Sequence, residues 1–102
     1  MKISIVIPVY NEVESLEQLY NELRKVLSIY ESYQIIFVDD GSSDGSADVI
    51  RKIIENDINT KIIQFHRNYG KSAALAEGFK NADGEYIAVS YTHLTLPTKC
   101  SV

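Results

Sequence analysis

The chain has 102 residues, which is enough for one small domain, and a formal net charge of −4 without a basic cluster. Nucleic-acid binding that is independent of sequence needs a face rich in lysine and arginine, so the composition argues against a nucleic-acid partner. The one cysteine, Cys100, excludes an internal disulfide and fits a reducing compartment such as the cytoplasm, and no apolar run approaches the roughly 20 residues of a membrane span.

Hydrophobic patterning divides the chain into seven alternating elements. Four short apolar runs predict strands that are buried on both faces. They span residues 3–9, 34–38, 61–65 and 85–89. Three amphipathic stretches between them predict helices, whose core-facing stripes include Val26 on the first helix and Phe79 on the third. The βαβαβαβ order with short loops predicts an α/β fold, a Rossmann-like parallel sheet with right-handed crossovers and helices on its faces.

Polar residues mark the starts of the first two helices. Asn11 and Glu14 have the N-x-x-E spacing of a capping box, in which two side chains satisfy the first free backbone N–H groups of a helix. Asp44 or Ser43 is placed to cap the second helix in the same way. Both starts follow directly after the end of a predicted strand.

The carboxyl ends of the strands are where a sheet of this kind binds ligands. The segment PVYNE follows the first strand. Pro8 fixes the backbone there, the ring of Tyr10 suits stacking on a base, and the Glu12 carboxylate suits hydrogen bonds from a ribose. The alternative is purely structural: Asn11 caps the helix, Tyr10 packs, and Glu12 lies near the positive end of the helix dipole.

The segment VDDGSSDGS follows the second strand and carries two adjacent acids. Neighbouring side chains on a strand point to opposite faces, so Asp39 and Asp40 are not expected to act as one pair. One of them is suited to orient the loops and the other to accept hydrogen bonds from a base or a ribose. The alternative is a plain turn in which these acids serve as caps.

The third segment, FHRNYGKSAA, offers a glycine and two cations. Gly70 allows close approach of the backbone to a ligand, and Arg67 and Lys71 are suited to face phosphate. The alternative is a solvated basic loop. The sequence lacks both G-x-G-x-x-G and G-K-[ST], which argues against a dinucleotide-binding or P-loop site.

Taken together, IVIPVYNE, FVDDGSSDGS and RNYGKSAALAEGF resemble the inverting family 2 glycosyltransferases of the GT-A fold. The likeness is greatest to polyprenyl-phosphate sugar transferases of the dolichol-phosphate mannose synthase type, and it covers about residues 2–89. The resemblance implies a nucleotide-sugar-binding half-domain at residues 1–89. It implies that the base and ribose of a UDP- or GDP-sugar are held by Pro8, Tyr10, Glu12, Val38 and Asp40. It further implies a structural carboxylate at Asp39 and a base or phosphate contact at Lys71.

The resemblance also implies a metal ion, a lipid acceptor and a place in cell-envelope glycan synthesis. In the family, Mg²⁺ or Mn²⁺ is held by an Asp-x-Asp motif after the fourth strand, where it offsets charge on the nucleoside diphosphate leaving group. The acceptor is a polyprenyl phosphate, which puts the full-length protein at the cytoplasmic face of the membrane. In this chain SYTHLTLPT stands where the motif is expected, and no acidic residue follows Glu85. We therefore expect no metal ligands, no catalytic residues and no activity in this chain.

The last residues break the pattern of the rest. The string VSYTHLTLPT matches the translation of a transposase-type sequencing adapter, so residues 90–102 are predicted to be a foreign tail on a truncated domain. If the ending is native, the alternative function is a non-catalytic nucleotide-binding α/β module. A receiver-like signalling domain is disfavoured, because such domains carry an acidic pair where this chain has PVYNE.

Overall fold

The computed structural model describes residues 2–90, which form a parallel sheet with helices on both faces. The strands are β1 (Lys2–Val9), β2 (Ser32–Asp39), β3 (Thr60–Gln64) and β4 (Tyr86–Val89), and the helices are α1 (Val13–Leu27), α2 (Ser46–Glu55) and α3 (Lys71–Asn81). All seven predicted elements and their order are confirmed. Among residues 2–90 no helix has both the length and the apolar character needed to cross a membrane. Apart from Ser90, the predicted tail lies outside the described residues.

The sheet has the order β3-β2-β1-β4, and every neighbouring pair is parallel. The chain builds outward from β1 to β2 and β3, and then returns across the sheet to place β4 on the other side of β1. This reversal puts α1 and α2 on one face and α3 on the opposite face. In open α/β sheets such a reversal leaves a crevice at the carboxyl ends of the two strands involved, here β1 and β4.

Both faces of the central strands are buried, which explains why their sequences are almost continuously apolar. Alternate side chains contact different helical layers, because successive residues of a strand point to opposite faces. The layer with α1 and α2 covers Ile5, Ile7, Val9, Ile35 and Phe37. The layer with α3 covers Val6, Ile36 and Val38.

Helix α3 contacts the sheet through small residues. Ala74 is buried, and a Cβ atom added at Gly78 would lie 2.3 Å from Cγ1 of Val6, which is far inside contact distance. The close approach turns Phe79 away from the core and leaves it 44% exposed, so its predicted inward position is wrong. Val26 of α1, predicted on the core-facing stripe, is 59% exposed on the outer side of the last turn.

A buried polar cluster lies at the amino edge of the sheet, opposite the edge formed by the carboxyl ends of the strands. Oδ2 of Asp57 accepts hydrogen bonds from the hydroxyls of Tyr20 (2.6 Å) and Tyr33 (2.9 Å), and Oδ1 accepts one from the backbone N–H of Asn59 (2.9 Å). Burial raises the pKa of Asp57, but these hydrogen bonds outweigh it and hold the pKa below its usual value. Burial and the bond to Asp57 raise the pKa of both tyrosines.

Candidate functional site

The structure brings the three polar segments together at the carboxyl edge of the sheet. The backbone N–H of Asp40 donates to the carbonyl of Val9 (2.8 Å), which joins the ends of β1 and β2. The N–H of Phe65 donates to the carbonyl of Asp39 (2.8 Å), which joins the ends of β2 and β3. The loops that follow β1, β2 and β3 therefore begin side by side along the carboxyl edge of the sheet, where the crevice lies.

Asn11 connects two loops instead of capping α1. It has a left-handed backbone (φ 53°), its N–H donates to Oγ of Ser42 (2.8 Å), and its Oδ1 accepts from the N–H of Ser43 (2.8 Å). Helix α1 begins at Val13, and Glu12 precedes it without a side-chain cap bond. The predicted capping box is therefore wrong, because the asparagine side chain is used by the neighbouring loop.

Asp44 stabilises the starts of both α1 and α2. Its Oδ2 accepts from the N–H of Val13 (3.2 Å), and its Oδ1 accepts from the N–H (3.0 Å) and Oγ (2.6 Å) of Ser46. Partial desolvation raises the pKa of Asp44, but the hydrogen bonds from Ser46 and Val13 outweigh it and lower the pKa overall. The sequence predicted Asp44 or Ser43 as the cap of α2, but Gly45 is the N-cap residue, and Asp44 accepts the first helical N–H from one position earlier. The contact with α1 was missed, because it joins residues 31 apart.

Asp39 is completely buried on the α1 and α2 side of the sheet. Its Oδ1 accepts from the backbone N–H of Ser42 (3.1 Å), which shapes the turn after β2. Its Oδ2 is buried and has no hydrogen-bond partner among residues 2–90. Asp39 is thus enclosed by the fold.

Asp40 points to the opposite side, towards the start of α3, as the alternation of strand side chains predicts. It is only 4% exposed. Its Oδ1 accepts from the backbone N–H of Tyr69 (2.7 Å), and its Oδ2 accepts from the N–H of Gly70 (3.0 Å) and from Nδ2 of Asn68 (3.1 Å). Nδ2 of Asn68 also donates to the carbonyl of Asp40 (3.1 Å). The sequence did not identify Asn68, and no local pattern marks it.

These two acids do not form a metal site. They are both buried and face opposite layers of the fold, whereas Mg²⁺ and Mn²⁺ need several oxygen atoms that converge on one point. Within the described part of the chain, no group of three or more histidine, cysteine, aspartate or glutamate side chains is arranged to hold a metal ion. Residues 2–90 therefore do not fit the metal that the family resemblance implies.

The loop between β3 and α3 presents aromatic and cationic side chains. Tyr69 is 46% exposed, its ring lies edge-on to Phe65 with centroids 5.4 Å apart, and the guanidinium of Arg67 lies 4.8 Å from the ring centroid. Gly70 then adopts φ 104° and ψ 158°, a conformation that is essentially restricted to glycine. Lys71 follows as the exposed first residue of α3.

The other predicted site residues differ in accessibility. Tyr10 is 48% exposed, and Pro8 and Glu12 are partly buried beside it. Val38, in contrast, is completely buried in the layer between the sheet and α3. Its side chain belongs to the core because its position in β2 directs it at Ala74, so its position does not support the predicted role of lining a nucleotide site.

The strand order, the two helical layers and the loops at the switch point define a Rossmann-like α/β domain of the GT-A type. The Glycosyl transferase family 2 profile matches residues 4–100, and the chain belongs to this family.

Comparison with known proteins agrees in sequence and in structure. The chain is 43% identical over 88 residues to an undecaprenyl-phosphate 4-deoxy-4-formamido-L-arabinose transferase of Proteus mirabilis, a match that covers 84% of this chain and 27% of the relative. It superposes on S. aureus TarS in complex with UDP-GlcNAc with a TM-score of 0.76 at 26% identity, over 90% of this chain and 26% of the other. A mannosyltransferase of Pyrobaculum calidifontis, solved with GDP-Man and Mn²⁺, shares the fold with a TM-score of 0.71 at 23% identity, over 95% and 29% of the two chains. The chain thus spans about a quarter of the length of these proteins.

Proposed function

We propose that this chain is the nucleotide-binding part of a family 2 glycosyltransferase. The complete protein would transfer a sugar, with inversion, from a UDP- or GDP-sugar to a polyprenyl phosphate at the cytoplasmic face of the membrane. The observation that carries the proposal is the convergence of three polar loops beside the crevice between β1 and β4. Further support comes from the 43% identity to a transferase named for undecaprenyl phosphate and from the UDP-GlcNAc in the TarS structure.

The accessible side chains at this edge have the chemistry that a nucleotide needs. The exposed ring of Tyr10 offers a surface for stacking on the base, and Pro8 fixes the backbone that leads to it. The carboxylate of Glu12 is a pure hydrogen-bond acceptor and suits the ribose hydroxyls. Lys71 begins α3, where the ammonium group and the positive end of the helix dipole both favour a diphosphate.

Sugar transfer needs more than this chain contains. A divalent cation would offset the charge that develops on the leaving diphosphate, and its ligands in the family follow the fourth strand. Strand β4 ends beside the crevice, but no acidic residue follows Glu85 in the sequence. We therefore propose that the 102-residue chain binds the nucleotide and does not catalyse transfer.

Isothermal titration of the chain with UDP and with GDP tests the binding, with ADP as the comparison nucleotide. We expect saturable binding of UDP or GDP, and a loss of about tenfold in affinity for Tyr10→Ala, because base stacking on an aromatic ring contributes about 1–3 kcal/mol. Tyr86→Ala is the matched control, since Tyr86 is an exposed tyrosine at the amino end of β4. Failure of the chain to bind either nucleotide would contradict the proposal.

Two further measurements separate the enzyme from the alternative of a non-catalytic nucleotide-binding module. The chain is incubated with UDP- or GDP-sugars, a short polyprenyl phosphate and Mn²⁺, and we expect no transfer; turnover would refute the argument from the missing acids. The parent gene is sequenced beyond the codon for Val89. An Asp-x-Asp coding sequence at that point supports the transferase, whereas a native stop after the present ending supports the module.

A further inference from the structure

Two buried polar side chains, those of Ser4 and Gln34, interrupt the apolar strands near the amino edge of the sheet. They are direct neighbours in the register of β1 and β2, and they are 0% and 6% exposed. Oγ of Ser4 donates a hydrogen bond to Oε1 of Gln34 (2.7 Å). Because a buried polar group destabilises a core unless it is hydrogen-bonded, the other partners of this pair indicate what it does.

The other hydrogen bonds of the Ser4–Gln34 pair go to the turn that connects α3 to β4. The backbone N–H of Asp83 donates to Oε1 of Gln34 (3.1 Å), and the N–H of Gly84 donates to Oγ of Ser4 (2.9 Å). Gly84 also lies directly against β1, since an added Cβ would be 2.6 Å from Oγ and 2.8 Å from the backbone nitrogen of Ser4. The pair therefore holds this turn against the amino ends of β1 and β2.

The sequence of β4 does not by itself determine how the strand aligns with β1. The strand has four residues, YIAV, with Tyr86 beside Ile3 and Ala88 beside Ile5. A slip of one residue would turn every side chain to the opposite face of the sheet, but it would only exchange one apolar or aromatic side chain for another. In the sheet of residues 2–90, β4 is an edge strand that pairs with β1 alone, so no second strand corrects a slip.

The Ser4–Gln34 pair distinguishes the possible registers. In the observed alignment its two oxygen atoms meet the two N–H groups of the turn. A slip of one residue would move the turn by about 3.3 Å, which separates these groups by more than a hydrogen bond allows. A buried oxygen or N–H without a partner is costly, so the observed register is favoured. The ion pair between Lys2 and Asp83 (2.8 Å) is partly exposed and contributes little to this choice.

We propose that Ser4 and Gln34 are positioning residues, which set the register of β4 and thereby the point at which the chain leaves β4 beside the crevice. The pair lies at the amino edge, and the far end of the strand lies at the carboxyl edge, where the N–H of Ser90 donates to the carbonyl of Val6 (3.0 Å). A slip of one residue at the pair would displace that far end by the same distance of about 3.3 Å. The inference goes beyond the proposed function, and its test needs no nucleotide.

The test compares two substitutions in the pair with two controls. Ser4→Ala removes the hydroxyl and both of its hydrogen bonds, and Gln34→Met keeps a side chain of similar length without the acceptor. Ser28→Ala is the matched control, because it removes a serine hydroxyl at the exposed end of α1. Lys2→Met removes only the ion pair to the turn and leaves the buried bonds in place.

Two properties of the isotope-labelled 102-residue chain are measured by NMR without ligand. Backbone NOEs between Ile5 and Ala88 report the register of β4. Hydrogen-exchange rates of the Glu85 and Ser90 amides, which donate to β1 at the two ends of the strand, report how firmly the strand is held. Amides in the middle of β2 serve as the reference for overall stability.

In Ser4→Ala we expect the NOEs between Ile5 and Ala88 to weaken and new ones from Ile5 to Ile87 or Val89 to appear. Exchange of the amides at both ends of β4 should become about tenfold faster relative to the middle of β2. Gln34→Met should change both properties in the same direction, with exchange about threefold faster, and it decides the test if Ser4→Ala does not fold. Both controls should keep the NOEs and the relative exchange rates of the unmodified chain.

Two results would overturn the inference. If both substitutions in the pair leave the NOEs and the exchange rates of β4 unchanged, the backbone of the turn sets the register without the Ser4–Gln34 pair. If exchange becomes faster to the same extent in β2 and β4 while the NOEs between Ile5 and Ala88 persist, the pair contributes only to overall stability and positions nothing.

Discussion

Asp57→Asn is expected to destabilise the fold by about 2 kcal/mol at neutral pH. The Asp57 carboxylate accepts from two tyrosine hydroxyls and one backbone N–H at 2.6 to 2.9 Å. Hydrogen bonds to a charged group contribute about 1.5–3 kcal/mol each, compared with about 0.5–1.5 kcal/mol for neutral pairs. An asparagine keeps one acceptor oxygen, but it removes the charge and turns an NH₂ group towards a donor. In a domain of this size the loss corresponds to a fall of about 10 °C in Tm.

The same residue should give the stability a defined dependence on pH. The hydrogen bonds lower the pKa of Asp57 in the folded state below the unfolded value of about 3.9, so the ionised carboxylate stabilises the fold above about pH 4. That contribution is lost as the pH falls through the lowered pKa of the folded state. The difference between the unmodified chain and Asp57→Asn should therefore be complete at pH 7 and shrink in strong acid.

Urea denaturation followed by circular dichroism, at pH 7 and at a series of values below pH 4, measures both effects. Tyr33→Phe is a milder comparison, because it removes one of the three donors and keeps the charge. If the free energies of unfolding of the unmodified chain and of Asp57→Asn differ by less than about 0.5 kcal/mol at pH 7, the effect is no larger than that of an ordinary surface substitution. Such a result would refute the stabilising role of the Asp57 carboxylate. The same holds if the stability difference between the two proteins is unchanged between pH 7 and pH 3.

Two other substitutions test how the helices are held. Gly78→Ala places a Cβ 2.3 Å from Cγ1 of Val6, so we expect a loss of about 1–3 kcal/mol in urea denaturation, and a neutral result would contradict the close packing of α3. Asp44→Ala removes the acceptor for the first N–H groups of α1 and α2, so we expect a loss of about 1 kcal/mol and faster hydrogen exchange at Val13 and Ser46; unchanged exchange would show that other groups cap these helices.

The fold was predictable because its signals are local. A strand that is buried on both faces needs an apolar residue at nearly every position, as residues 3–9 and 34–38 have, and such runs alternate here with amphipathic stretches. The opposite directions of Asp39 and Asp40 were also predictable, since they follow from the period of a strand. These properties depend on neighbours within a few residues.

Two of the incorrect predictions, the capping box and the inward position of Phe79, depend on partners that are distant in sequence. Asn11 has the right spacing for a capping box, but its side chain bonds to Ser43, 32 residues away. Phe79 lies on the apolar stripe of α3, but the sheet contacts that helix at Gly78, where a missing side chain decides the packing.

The candidate site shows why two adjacent acids at a strand end need not have the same role. Asp39 accepts the N–H of Ser42 and so shapes the loop on the α1 and α2 side of the sheet. Asp40 accepts the N–H groups of Tyr69 and Gly70 and so shapes the loop on the α3 side. Because the two side chains point to opposite faces, one dipeptide at the end of β2 fixes loops from both helical layers beside the same crevice. A ligand placed there would meet surfaces that were ordered before it arrived, which lowers the entropic cost of binding.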